Sequence, residues 1–113
     1  MQQHRTWIEI KKSALRHNFT VIRRKAAPAR VMAVVKADAY GCSDDIAARI
    51  CLEEGAVRLG TATAAEAIRL KKKFNTDVQV LGALSRDETE EAVRAGIVCP
   101  VPDGASARRI NRI

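Results

Sequence analysis

The chain has 113 residues, enough for one modest domain with a real core, and its 47% hydrophobic and 29% charged content describes a folded globular chain rather than a disordered one. The formal net charge is +7, but its carriers stand apart at Arg23, Arg24 and Lys25, at Lys71, Lys72 and Lys73, and at Arg108 and Arg109. Each group closes or follows a helical pattern, where cations complement the helix dipole; with four aromatic residues and no binding motif beside the charge, a nucleic-acid surface is set aside, while an anionic ligand stays compatible.

In chain order, Trp7, Ile8, Glu9 and Ile10 alternate apolar and polar, which predicts a short half-exposed strand. Ser13 is a candidate N-cap for a helix reaching about Lys25, with Leu15, Phe19 and Ile22 on one face and Pro28 ending it. Residues 30–36 predict a strand whose run Val31, Met32, Ala33, Val34, Val35 suits burial on both faces of a parallel sheet. After the short polar link Ala37, Asp38, Ala39, the pair Tyr40–Gly41 turns the chain into a helix capped by Ser43 or Asp44. That helix reaches about Glu54, buries Ile46, Ala47, Ile50 and Cys51, and meets Gly55 as its C′ residue.

Residues 57–62 read as the next strand, and Thr63 opens a helix through Lys73 with Ala64, Ala67, Ile68 and Leu70 inward. Residues 77–84 give a third strand, broken near Gly82. Ser85 or Asp87 then caps a helix that turns Ala92 and Val93 inward and stops at Gly96. Residues 97–101 predict a fourth strand closed by Pro102, Asp103 and Gly104, and residues 106–113 begin another helix. This alternation is the signature of successive βα units in an α/β fold with a parallel sheet. No linker interrupts it, so residues 1–113 read as a single domain, and the absence of a closing strand suggests the first half, or less, of a larger barrel.

Cys42, Cys51 and Cys99 lack the spacing of a metal site and leave an odd thiol, which favours reduced cysteines in a cytoplasmic protein. The first residues lead into no apolar signal core and no run approaches a membrane span, so no membrane association is expected. His4 and His17 stand alone, without partner ligands for a metal or for acid/base work.

Lys36 falls at the carboxyl end of its strand, where α/β proteins place their chemistry. Two readings of it are open from the residues alone. Its stem can cover the sheet rim while the ammonium reaches water. In a partly apolar site, desolvation instead favours the neutral amine, a nucleophile toward carbonyls.

Val34, Val35, Lys36, Ala37, Asp38, Ala39, Tyr40 and Gly41 resemble the cofactor-lysine motif of the alanine racemases, pyridoxal-phosphate enzymes built on a (β/α)8 TIM-type barrel. The flanks are similar as well: residues 7–10, Leu15 to Asn18, Glu54 to Ala56, Glu66 and Ala67, and Val80 to Gly82. The resemblance runs in order along nearly the whole chain and favours the nucleophilic reading of Lys36. A closed barrel needs roughly 200 residues or more, so it implies an N-terminal part, truncated before closure.

It further implies that Lys36 holds pyridoxal 5'-phosphate covalently and moves the substrate's Cα proton on one face. Tyr40 would hydrogen-bond the cofactor phosphate and Leu81 would pack beside its ring. From the residues alone, Tyr40 also reads as a packing aromatic at a rim, Leu81 as a core strand residue, and Asp38 as a turn-former. The implied reaction is interconversion of L- and D-alanine, supplying D-alanine for peptidoglycan. It would run in a homodimer whose partner subunit lends a tyrosine to the opposite face. The alternatives are a racemase or decarboxylase for another amino acid, and a non-catalytic remnant that folds as a partial barrel. Two departures stand out. The family continues Tyr-Gly-His-Gly where this chain has Tyr40, Gly41, Cys42 and Ser43. Its main phosphate loops, the arginine for the pyridine nitrogen and the C-terminal β-domain fall beyond Ile113.

Overall fold

Turn and cap chemistry cuts the chain into alternating units. The structure, a computed structural model, describes residues 4–113. The elements are α1 (Lys12–Ala26), β1 (Met32–Val34), the single turn α2 (Lys36–Tyr40), α3 (Asp44–Glu53), β2 (Arg58–Thr61), α4 (Ala64–Phe74), β3 (Val78–Val80), α5 (Arg86–Arg94) and α6 (Gly104–Ile110). Four helices begin where a side chain satisfies an otherwise orphaned backbone N–H. Ser43, Thr63, Ser85 and Asp103 each accept from the third residue on, and Thr63 with Glu66 and Ser85 with Glu88 form reciprocal capping boxes. Helix α1 departs from this: it starts at Lys12 with no side-chain cap, so Ser13 lies inside the helix rather than at its head.

The strands lie parallel in the order β1-β2-β3, with Ala33 opposite Leu59 and Leu59 opposite Val78. The fourth predicted strand shrinks to one parallel bridge, Gln79 to Val98, made by Val80 N–H to the Val98 carbonyl at 2.9 Å and Val98 N–H to the Val78 carbonyl at 3.0 Å. Pro100 and Pro102 supply no N–H with which to continue a ladder. Residues 7–10 form no strand either; Trp7 and Ile8 are exposed, and β1 pairs only with β2 among the described residues. Alternation makes a strand only where a neighbouring edge accepts its hydrogen bonds.

Helices cover one face of the sheet. Ala33, Val35, Leu59, Thr61, Val78 and Val80 are buried in one core with Ala47, Ala67, Leu70 and Ala92. On the opposite face Val34, Leu81 and Val98 remain 36%, 44% and 38% exposed. The expected burial of the first strand on both faces therefore holds on one face only. The described residues form a flat body of 51 × 42 × 21 Å, one layer of helices on one sheet. Ile22, expected inward, is 55% exposed, because α1 leans mainly on α3 through Arg16, which pairs with Glu53 and Glu54, and buries only Phe19 fully.

Candidate active site

The uncovered face leads to the carboxyl end of β1. Met32 and Val34 project to that face; the extended backbone stops there, since Val35 has φ of −120° and ψ of 20°, and Lys36 opens α2. Opposite Val34 in β2 stands Gly60. A Cβ there would lie 3.1 Å from Leu81 Cδ1 and 3.2 Å from Val34 Cγ2, so the glycine lets Val34 and Leu81 close over the middle strand. The row Val34, Gly60 and Gln79 is the last that all three strands share; Lys36 follows two residues after it from β1, and Leu81 two residues after it from β3. Lys36 is half-buried, and among the described residues its ammonium has no ion-pair partner.

The segment after Lys36 turns the wrong way for L-residues. Ala37, Asp38, Ala39 and Tyr40 have φ of 51°, 53°, 53° and 58°, and Gly41 follows at 91°. Left-handed backbone costs about 1–2 kcal/mol per non-glycine residue, so surrounding contacts must over-determine this turn. They are identifiable. The Ala39 N–H donates to the Val35 carbonyl at 2.9 Å, and those of Gly41 and Cys42 donate to the carbonyls of Asp38 and Ala39 at 3.1 Å each. Asp38 Oδ1 accepts the Asp44 N–H at 2.9 Å, joining the turn to the head of α3, so Asp38 is the turn-former its composition suggested. Glu66 Oε1 accepts the Ala37 N–H at 2.9 Å from the first turn of α4. The buried Ala39 side chain completes the anchorage.

Behind the turn, charge locks α3 to α4. Arg69 pairs with Asp44 and with Asp45 (3.0 Å to the latter), and Lys73 also pairs with Asp45. Hydrogen bonding to Lys73 leads the causes that hold the Asp45 carboxyl below its ordinary range; burial works against the charge on Arg69, and its two aspartates outweigh that.

Tyr40 is 66% exposed, its phenol directed to no protein partner among the described residues. Leu81 lies on the uncovered face beside Gly60. Lys36, Tyr40 and Leu81 thus belong to one rim, the first two through the turn and the third through strand register. Glu66 appeared in the sequence only as a flank of the family motif; its bond to Ala37 spans 29 residues and has no signal in local pattern. A cleft of about 540 Å³ between α5 and α6, lined by Arg86, Arg94, Arg108 and Arg109, shares no residue with this rim. Volume therefore does not mark the site; the strand ends do.

The profile described as "Alanine racemase, N-terminal domain" matches residues 10–113. The chain belongs to the alanine racemase family. It is 38% identical over 115 residues to the alanine racemase of Methanococcus maripaludis, covering 100% of this chain and 31% of that protein. The solved structure of the alanine racemase of Clostridium difficile superposes with a TM-score of 0.88 at 28% identity, over 95% of this chain and 29% of that one. A Bartonella henselae alanine racemase, whose structure carries covalently bound pyridoxal phosphate, superposes with a TM-score of 0.79 at 25% identity, over 88% and 28% of the two chains. The α/β architecture of the chain accordingly matches the N-terminal part of the alanine racemase barrel, and the chain spans about a third of the length of these relatives.

Proposed function

We propose that this chain is the cofactor-anchoring part of a pyridoxal-phosphate-dependent alanine racemase, interconverting L- and D-alanine and so supplying D-alanine for peptidoglycan. The observation that carries the reading is Lys36, half-buried at the carboxyl end of β1 and followed at once by a left-handed turn, in a chain of the alanine racemase family. The residues present fit the cofactor. Lys36 offers an amine for the aldehyde, Leu81 an apolar face for a flat ring, and Tyr40 an unpaired phenol for a phosphate oxygen. Gly60, with no side chain, keeps the strand between Val34 and Leu81 low.

When bound, pyridoxal phosphate withdraws electrons from the substrate's Cα and makes its proton removable. Lys36 would hold the cofactor through its amine, and that amine, when free, would take and return the Cα proton on one face. Tyr40 would hold the phosphate through its phenol, and Leu81 would pack beside the ring and keep water from that side. Inversion needs a second acid/base on the opposite face. The resemblance to the family implies that this group is a tyrosine from the C-terminal part of the partner subunit of a homodimer, while Tyr40, the single tyrosine of this chain, is assigned to the phosphate. Three free thiols support a reducing, cytoplasmic setting.

The test is to add pyridoxal phosphate, reduce with borohydride and map the adduct. It is expected on Lys36 together with a visible cofactor band, both lost in Lys36→Ala; a band that survives the substitution refutes the reading. Alanine, serine and lysine are then offered to the chain alone and to the chain mixed with the C-terminal portion of a family member. D-alanine is expected only from the mixture, and turnover by the chain alone would overturn the placement of the second acid/base.

A further inference from the structure

We propose that Glu66 is a positioning residue for Lys36: one carboxylate bridges the end of β2 to the first peptide after the lysine and fixes the direction in which the amine leaves β1. The inference rests on the reading of Lys36 as the cofactor lysine.

Glu66 is the third residue of α4, and its place in a capping box gives it a local duty. That duty occupies one oxygen. Oε2 accepts the Thr63 N–H, the Thr63 hydroxyl and the Ala62 N–H, each at 3.2 Å. Oε1 faces the other way and accepts the Ala37 N–H at 2.9 Å. The chain contains its own comparison. Glu88 occupies the same position in the capping box of α5, and among the described residues its carboxylate accepts from Ser85 alone, the backbone N–H at 2.8 Å. A helix start of this kind therefore has no need of the second bond, and the reach to Ala37 is particular to Glu66.

The bond is also placed where it matters. Ala37 is the first left-handed residue, and its N–H belongs to the peptide that leaves Lys36, so this bond restrains the backbone on the carboxyl side of the lysine. Ala62, gripped by the other oxygen, follows directly on β2, whose Gly60 carbonyl accepts the Val35 N–H at 2.8 Å one residue before Lys36. Donors stand on both sides of the group, so an acceptor-only carboxylate satisfies them all, whereas an amide must turn its NH₂ toward one set. Glutamine is thus a partial replacement and alanine none.

The experiment uses the chain and its Glu66→Ala, Glu66→Gln and Glu88→Ala variants. Amide hydrogen exchange at Ala37 is expected to quicken about tenfold or more in Glu66→Ala, the loss of a charge-assisted bond, with a smaller rise in Glu66→Gln. Leu59 and Val80 amides should hold their protection, and Glu88→Ala should leave Ala37 unchanged. In parallel, borohydride trapping of pyridoxal phosphate is mapped by mass spectrometry as the share of adduct on Lys36 against all other lysines, a share expected to fall in the same order. Unchanged Ala37 exchange in Glu66→Ala overturns the proposal. So does an undiminished Lys36 share despite faster exchange, which would leave Glu66 as a helix cap with an incidental second bond. If the wild-type chain shows no preference for Lys36, the cofactor-lysine reading itself falls and takes the positioning role with it. Should Glu66→Ala fail to fold, Glu66→Gln carries both measurements.

Discussion

Replacing Gly82 by alanine should damage the rim from the side of β3. A Cβ built there lies 2.6 Å from the Ala62 carbonyl oxygen, well inside the 3.0 Å that real Cβ atoms respect, and ordinary contact begins near 3.4 Å. The two strand ends must part by about 0.8 Å, and the obstacle is backbone, which no rotamer change relieves. Parting them strains the bond from the Leu81 N–H to the Thr61 carbonyl, now 2.8 Å, and pulls on Ala62, which Glu66 holds. Overpacking of this kind costs about 1–3 kcal/mol. For a chain of this size that is a fall in Tm of about 4–8 °C per kcal/mol. Thermal unfolding followed by circular dichroism reads the loss, and exchange at the Leu81 amide locates it. Two other glycines calibrate the argument. At Gly60 the nearest atoms are side-chain tips at 3.1 and 3.2 Å, which can rotate aside, so Gly60→Ala should cost about 1 kcal/mol or less. At Gly104 a Cβ meets only Arg108 Nη1 at 3.6 Å, and alanine there should be neutral or better. A Gly82→Ala protein as stable as Gly104→Ala would refute the reasoning.

Tyr40→Phe should leave Tm within about 1 °C, since the exposed ring packs little, yet weaken pyridoxal phosphate retention about tenfold in a titration of the visible band; equal retention would return Tyr40 to a packing role. Carboxyls held below their ordinary range make acid stability one-signed. The Ser85 backbone N–H lowers Glu88 and the Ser106 N–H lowers Asp103 from ordinary values of 4.5 and 3.8. Their folded values lie below the unfolded ones, so this stabilisation is present above about pH 4.5 and lost as pH falls through the folded values; urea midpoints should drop below pH 4.5 and drop less in Glu88→Gln. Thiol labelling should find Cys42, exposed in the loop before α3, well before Cys51 and Cys99, both pushed up by burial; Cys51 should react only on unfolding, and early labelling of it would contradict the packing of α3.

The relative weight of sequence and tertiary structure differs from feature to feature. Helix starts at Ser43, Thr63 and Ser85, stops at Gly55 and Gly96, and the inward faces of α3 and α4 follow from cap chemistry and a 3.6-residue period, which are local and so written in the chain. The family and the place of Lys36 at a strand's end were legible for the same reason: motif and strand share one short stretch. What the sequence could not decide is anything that requires a partner far along the chain. Residues 7–10 alternate like a strand but pair with no strand among the described residues, and residues 97–101 carry strand composition but are interrupted by Pro100. Which face of β1 stays open depends on where the helices land, not on its run of valines. Apart from Asp38, the left-handed turn after Lys36 lies in residues with no intrinsic liking for it, and it stands because Glu66, Asp44 and Val35 hold it from three directions. Local preference names the lysine; only contacts between distant segments can set the direction it faces.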